Sequence, residues 1–135
     1  MDKISVKIPV TIKVKLTEKF RTNQIEAITN NLKNVDLEIQ QIDIDEKKVI
    51  AEQGQNDLQR LQAIRQHFGV ERQKRLDFKA QSEQEMATLK KLALGAEIVQ
   101  GTLDRVAELK VGDNMRELMN VEVLIEDDKI IAIRS

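Results

Sequence analysis

The sequence predicts an α+β fold in which a long antiparallel coiled-coil helical hairpin is inserted into a small β-sheet or partial barrel made from both termini. Three observations lead to this prediction. The chain begins with strict alternation of apolar and polar residues, continues with apolar residues spaced three and four apart, and returns to short alternating runs near its end. Period two is typical of a half-buried strand, and the three-four spacing is typical of a helix that packs along one stripe.

The alternating segment covers residues 4–16 and predicts a first strand with one apolar and one polar face. The polar face carries four lysines, and lysine on a strand commonly prevents unwanted pairing at a sheet edge. Pro9 has no N–H group to donate to a sheet ladder. We therefore expect this strand to lie at an edge or to bend at Pro9. The alternative is that the lysines face an anionic partner; they are Lys3, Lys7, Lys13 and Lys15.

The first helix is expected to begin after Thr17, whose hydroxyl can cap a helix and which is followed by an acidic residue, Glu18. The apolar residues then occupy the a and d positions of a coiled coil for more than three heptads, with one interruption at Glu46. This seam predicts a long helix that packs along a partner helix. It consists of Ile25, Ile28, Leu32, Val35, Ile39, Ile42 and Val49.

A second helix is expected from Asp57, a candidate cap, to about Ala93. The turn between the helices is predicted near residues 53–56, which include Gly54. Gly69 is a second candidate, because glycine inside a helix costs about 1 kcal/mol. If the flanking strands join one sheet, both helices end at the same base. The turn then falls at the midpoint of the helical block, which favours Gly54.

The segment after the second helix predicts short strands separated by turns that contain glycine or aspartate, with a helical turn at Met115–Met119. Together with the first strand they are enough for a small sheet. The expected domain organisation is a β domain of residues 1–16 and 97–135 and an inserted hairpin of residues 17–96. The later strands are expected at Ile98–Val99, Leu103–Val111, Val121–Ile125 and Ile130–Ile133, the last two as a β-hairpin.

Segments that are expected to pack against each other have net charges of opposite sign. The first helical stretch has a net charge of −3 and the second of +3, and the N-terminal strand (+3) and C-terminal segment (−4) differ in the same way. An antiparallel turn near residue 55 would place Glu38 near Arg72 and Asp45 near Arg65, to within about one helical turn. Exposed pairs of this kind contribute little stability, so they would mainly select the register.

The composition excludes several classes of protein. Without cysteine there is no disulfide, thiolate metal site or cysteine nucleophile, and the single histidine, His67, rules out paired histidine ligands. The net charge of −1 argues against a general nucleic-acid coat. No apolar run is long enough to span a membrane, and the N-terminal residues lack the continuous apolar stretch of a signal peptide. We therefore expect a cytoplasmic, non-enzymatic protein with no cofactor, bound metal, membrane contact or small-molecule substrate.

Basic residues on the second helix form the first candidate site, which we call the basic patch. Guanidinium groups suit phosphate contacts, so the patch is a candidate for binding RNA or another anion. The competing interpretation is that these residues pair with the acidic first helix. The opposite charges of the two helices favour this second interpretation, and Glu71 and Asp77 dilute the patch. The patch consists of Arg60, Arg65, Arg72, Lys74, Arg75 and Lys79.

Three aliphatic residues of the first helical stretch lie outside its seam: Leu37, Ile44 and Ile50. In an isolated pair of helices these side chains would face water, and a helix with two apolar stripes usually buries both. They therefore predict an additional contact, either with a second copy of the chain or with a helix of a protein partner.

The segment Leu92-Ala93-Leu94-Gly95-Ala96-Glu97-Ile98, which joins the helical block to a short β region ending at Lys129–Arg134, resembles the YlqD-like family of bacteria and plastids. The resemblance covers nearly the whole chain, and the L-x-L-G-x-E-I junction is its most specific part. This family has no established activity, so the resemblance implies no catalytic residues. Some of its genes lie beside ribosome-maturation genes, which by association suggests work on RNA or the ribosome.

The function expected from these features is that of an interaction or scaffold protein. Its coiled-coil arm would bind a protein partner or a second copy of the chain. The alternative is an RNA- or ribosome-associated accessory factor that uses the basic patch.

Overall fold

The computed structural model describes all 135 residues. A long helical hairpin and a four-stranded open sheet built from both ends of the chain confirm the predicted α+β class. Two compact units are present: a sheet unit (Met1–Thr22 with Leu92–Ser135) and a hairpin unit (Asn23–Lys91). The elements are β1 (Lys3–Lys15), α1 (Glu18–Val49), a π-helical segment (Ile50–Gly54), α2 (Leu58–Lys91), β2 (Glu97–Lys110), α3 (Met115–Met119), β3 (Glu122–Glu126) and β4 (Lys129–Arg134).

β1 is a central strand of the sheet, whose order is β2-β1-β3-β4. β1 pairs antiparallel with β2 along its whole length and parallel with β3 over Thr11–Val14 only. The edge position expected at Pro9 is therefore confirmed, although β1 as a whole is not an edge strand. The half of β1 that contains Pro9 has no strand on its β3 side. The missing N–H group therefore need not interrupt a ladder.

β2 is one continuous strand, although two runs separated at Gly101 were expected. The pairing with β1 is irregular near this point. Ile12 pairs with Gly101 and Lys13 pairs with Val99, so Gln100 is an extra residue on β2. A β-bulge accommodates such a residue without ending the strand, and glycine is frequent beside one.

Thr17 joins the start of α1 to the turn between β3 and β4. Its hydroxyl oxygen accepts a hydrogen bond from the Phe20 amide at 3.1 Å, which confirms the expected cap. The same hydroxyl donates to Oδ1 of Asp127 at 2.7 Å. Asp127 and Asp128 both have positive φ, 47° and 68°, which is the conformation that a tight β-hairpin turn requires.

The end of β1 also holds the segment that follows α2. The Gly95 amide donates to the Leu16 carbonyl at 2.8 Å, and the Leu16 amide donates to the Ala96 carbonyl at 2.7 Å. Arg21, in the first turns of α1, donates to the carbonyl of Leu92. The residues of the sheet unit that precede and follow the hairpin are therefore bound to each other, as the midpoint argument for the turn assumed.

In the hairpin unit the chain reverses after Gly54. The π-helical segment ends there, and Asp57 caps α2 by accepting a hydrogen bond from the Arg60 amide at 3.2 Å. A Cβ atom on Gly54 would lie 3.4 Å from the Leu61 side chain, so the buried glycine is in ordinary packing contact. Gly69, the rival candidate, lies inside α2 with open space where a Cβ would be.

None of the helices combines the length and the apolar character that a membrane span requires.

Replacing Gly69 with alanine tests the placement of the turn. We expect Gly69→Ala to raise the free energy of unfolding by about 1 kcal/mol, because alanine favours a helix interior and meets no neighbour. Urea unfolding would measure this. The control is Gly112→Ala, which should be destabilising because Gly112 has φ of +99°. Loss of stability in Gly69→Ala would contradict a continuous α2.

Candidate interaction surfaces

The seam of the hairpin is aliphatic on α1, whereas on α2 it is apolar at both ends and polar in the middle. Ile28 and Val35 are buried on α1. On α2, Leu89 and Ser82 are buried, and the basic side chains at the middle of the seam are half-buried. Lysine and arginine can cover apolar surface with their methylene stems while their charged ends stay in water. The basic residues of α2 can therefore complete the seam and still form ion pairs.

Arg72 forms ion pairs with two acids of α1. It lies 2.9 Å from Oδ1 of Asp43 and 2.8 Å from Oε2 of Glu46. The hydrogen bond to Glu46, followed by the one to Asp43, raises the pKa of the Arg72 guanidinium. Glu46, which interrupts the aliphatic seam of α1, thus has a charged partner.

Arg75 and Lys79 continue the same series of ion pairs. Arg75 lies 2.5 Å from Glu71 on its own helix and 3.4 Å from Glu38 of α1, and Lys79 lies 2.9 Å from Asp36. The hydrogen bond from Arg75, followed by that from Lys74, lowers the pKa of the Glu71 carboxyl. As the residue number rises along α2, the α1 partner's number falls, which makes the pairing antiparallel.

The observed ion pairs are displaced along α2 from those expected of a turn centred on residue 55. Glu38 pairs with Arg75 instead of Arg72, a displacement within one helical turn. Arg65 does not meet Asp45; it is exposed, and Ile64 is half-buried in its place.

The structure divides the basic patch into engaged and free residues. Arg72, Arg75 and Lys79 pair with α1, and Lys74 pairs with Glu71 at 3.3 Å on its own helix. Arg60 donates to the Gln53 side chain at 2.7 Å. Arg65 forms no ion pair. A phosphate would therefore have to compete with carboxylates for most of the patch, and its role in binding RNA stays a prediction.

The three aliphatic residues outside the seam do not form one group. Leu37 and Ile44 have 62% and 58% of their surface exposed. Leu37 is two residues beyond the buried Val35, which places it and Ile44 on the side of α1 opposite the seam. Ile50 is half-buried, and its Cγ2 lies 3.6 Å from the Cβ position of Gly54. Ile50 thus packs at the turn, and Leu37 and Ile44 form an outward apolar pair.

Sequence reasoning missed a groove of about 430 Å³ on the hairpin unit. Asn31 and Asn34 of α1 line one side of the groove, and Lys74 and Phe78 of α2 line the other. Phe78 is exposed. An aromatic residue among the charged residues of the second helix was the one available signal. The lining mixes amide, charged, aliphatic and aromatic groups.

One face of the sheet unit carries a network of charges. Lys13 lies 2.8 Å from Glu122, and Arg134 pairs with both Glu122 (2.7 Å) and Glu97. The hydrogen bond from Arg134 lowers the pKa of Glu97, and that from Lys13 lowers the pKa of Glu122. Lys13 and Lys15 therefore face carboxylates of neighbouring strands and do not guard an edge. The structure contains no group of three or more acidic or histidine side chains placed to hold a metal ion.

A charge reversal tests whether the basic patch supports the hairpin. We expect Arg72→Glu to lower the thermal unfolding midpoint, because it places like charges beside Asp43 and Glu46. Adding Glu46→Arg should restore part of the loss. Arg65→Glu is the matched control, since Arg65 has no ionic partner. Equal losses in Arg72→Glu and Arg65→Glu would mean that the α1 pairs do not matter.

Acid should weaken the protein through the carboxyls with lowered pKa. Glu71, Glu97 and Glu122 all have a folded pKa below the ordinary value of 4.5. Their stabilising contribution is present above that value and is lost as the pH falls through the lower folded pKa. Urea unfolding as a function of pH should show stability falling below about pH 4.5. Glu122→Gln should flatten this dependence; an unchanged slope would contradict the assignment.

Comparison with known proteins supports the fold. No curated protein matches the chain. A crystal structure of a protein of unknown function from Synechococcus sp. WH 8102 is similar over 100% of both chains, with a TM-score of 0.89 and 23% sequence identity. The family model described as YlqD protein matches residues 4–134. The chain therefore belongs to the YlqD family.

Proposed function

We propose that this protein is a non-enzymatic interaction or scaffold protein, and that its hairpin presents a surface to a protein partner or to a second copy of the chain. The observation that carries the proposal is the outward apolar pair. Leu37 and Ile44 lie one heptad apart on the side of α1 away from the seam, and more than half of each residue is exposed. Apolar residues at this spacing are the contacts through which helices associate.

The ion pairs of the basic patch support the same proposal. Arg72, Arg75 and Lys79 each have an acidic partner on α1. A basic row that is satisfied within the hairpin contributes to its register, and it leaves less charge for an external anion. We therefore assign these three residues a structural role. The surface available to a partner is then the far side of α1.

The second candidate function is association with RNA or the ribosome. Two observations favour it: Arg65 is exposed without an ionic partner, and the Lys74 side chain is 65% exposed in spite of its pair with Glu71. Such binding would weaken steeply as salt rises, because phosphate contacts release counterions. We also place the protein in the cytoplasm, since a chain without cysteine suits a reducing compartment.

Affinity purification of the tagged protein at physiological salt, with and without nuclease, tests the two functions. We expect specific protein partners, or self-association, that survive nuclease and are lost in the double variant Leu37→Gln, Ile44→Gln. Leu58→Gln is the matched control, because Leu58 is exposed on the other helix. Partners that vanish with nuclease and depend on Arg65 would favour the RNA-linked function and contradict the proposal.

A further inference from the structure

Charge is segregated between the two sides of α1. The acids that flank its seam pair with α2. They are Asp36, Glu38, Asp43 and Glu46. The other side consists of the residues three, four or seven positions from Leu37 and Ile44, and it has lysines but no acid. We call these lysines together with Leu37 and Ile44 the outer stripe; the lysines are Lys33, Lys47 and Lys48.

The lysines of the outer stripe have no ionic partner within the chain. All are exposed, and none takes part in an ion pair. Asp45, at the border of the stripe, is half-buried and accepts a hydrogen bond from Gln41 at 2.9 Å. The lysines therefore leave the aliphatic pair in positively charged surroundings. The other polar residues of this side are the neutral amides Asn30, Asn34, Gln40 and Gln41.

We propose that the outer stripe binds an acidic amphipathic helix of another protein. The aliphatic residues of that helix would contact Leu37 and Ile44, and its flanking carboxylates would pair with the lysines. Charges beside an apolar seam select the partner and its orientation in coiled coils. The inference rests on the proposed function, because it names the class of partner that the outward apolar pair takes.

The same charges oppose a second copy of the chain on this surface. In an antiparallel arrangement that brings Leu37 against Ile44, Lys33 would lie opposite Lys48 of the second copy, since the numbers of opposed residues have a constant sum. In a parallel arrangement each lysine would lie opposite its own equivalent. Like charges that face each other across an interface oppose association. Complementarity therefore requires a partner with the opposite charge.

Other anionic occupants fit only part of the outer stripe. A helix that lies in a lipid surface needs a broad apolar face, whereas the aliphatic part of the stripe is two residues one heptad apart. RNA is bound through phosphate contacts and through bases stacked on aromatic side chains. Leu37 and Ile44 would contribute to neither. An acidic helix uses both the lysines and the aliphatic pair.

Fluorescence anisotropy with two labelled peptides of about four heptads tests the proposal. Both peptides have leucine at a and d; one has glutamate at e and g and the other has lysine, so that like charges keep each from pairing with itself. At physiological salt, the wild-type protein should bind the glutamate peptide about tenfold or more tightly than the lysine peptide. The double variant Lys33→Glu, Lys48→Glu should reverse this order.

The matched control is Lys3→Glu, Lys7→Glu, which makes the same charge change at exposed lysines of β1 that have no ionic partner. It should keep the wild-type order. Circular dichroism checks the fold of each variant. If Lys33→Glu, Lys48→Glu does not fold, Lys33→Gln, Lys48→Gln replaces it and should reduce the preference for the glutamate peptide.

Three results would overturn the inference. The first is equal affinity for the two peptides or no binding of either. The second is a preference that survives Leu37→Gln, Ile44→Gln, since charge alone would then explain it. The third is a dimer in sedimentation equilibrium that this variant dissociates, which would give the surface to a second copy. The proposed function would still stand in each case if the affinity purification showed nuclease-resistant partners, or self-association, that depend on Leu37 and Ile44.

Discussion

The antiparallel pairing of β1 with β2 is the constraint on which the rest of the structure depends. It joins one strand from each side of the helical block and extends over the whole of β1. Leu16 then bonds to the segment that follows α2, and Arg21 in the first turns of α1 bonds to Leu92, so the residues before and after the hairpin are held together. Two helices fixed at one base must reverse near their midpoint, and the chain does so after Gly54.

Within the hairpin, specificity comes from charge as much as from apolar packing. The seam of α1 is aliphatic. In the middle of α2, however, Arg72, Arg75 and Lys79 occupy seam positions where a coiled coil normally has aliphatic residues. The middle of the seam therefore lacks matched apolar layers that would fix its register. The pairs with Asp36, Glu38 and Asp43 supply that specificity. The same pairing explains how a cluster of basic residues can be structural in a protein with a net charge of −1.

The sequence was sufficient for the features that depend on local chemistry or on chain geometry. Alternation predicted the strands, and hydrogen-bonding side chains placed the caps at Thr17 and Asp57. The position of β1 within the sheet could not be predicted, because the lysines that suggest an edge are equally suited to carboxylates on β3. The exact ion pairs of the hairpin could not be predicted, because a long side chain such as Arg72 reaches more than one acid of α1.

Native-state hydrogen exchange tests the central role of β1 most directly, since it reports the opening free energy of each segment. We expect the amides of Thr11–Val14, which lie between β2 and β3, to exchange only through global unfolding. The amides around Gly54, at the turn of the hairpin, should exchange through local opening at lower free energy. Faster exchange in β1 than in the hairpin would mean that the helices form without the strand pairing, and would contradict this account.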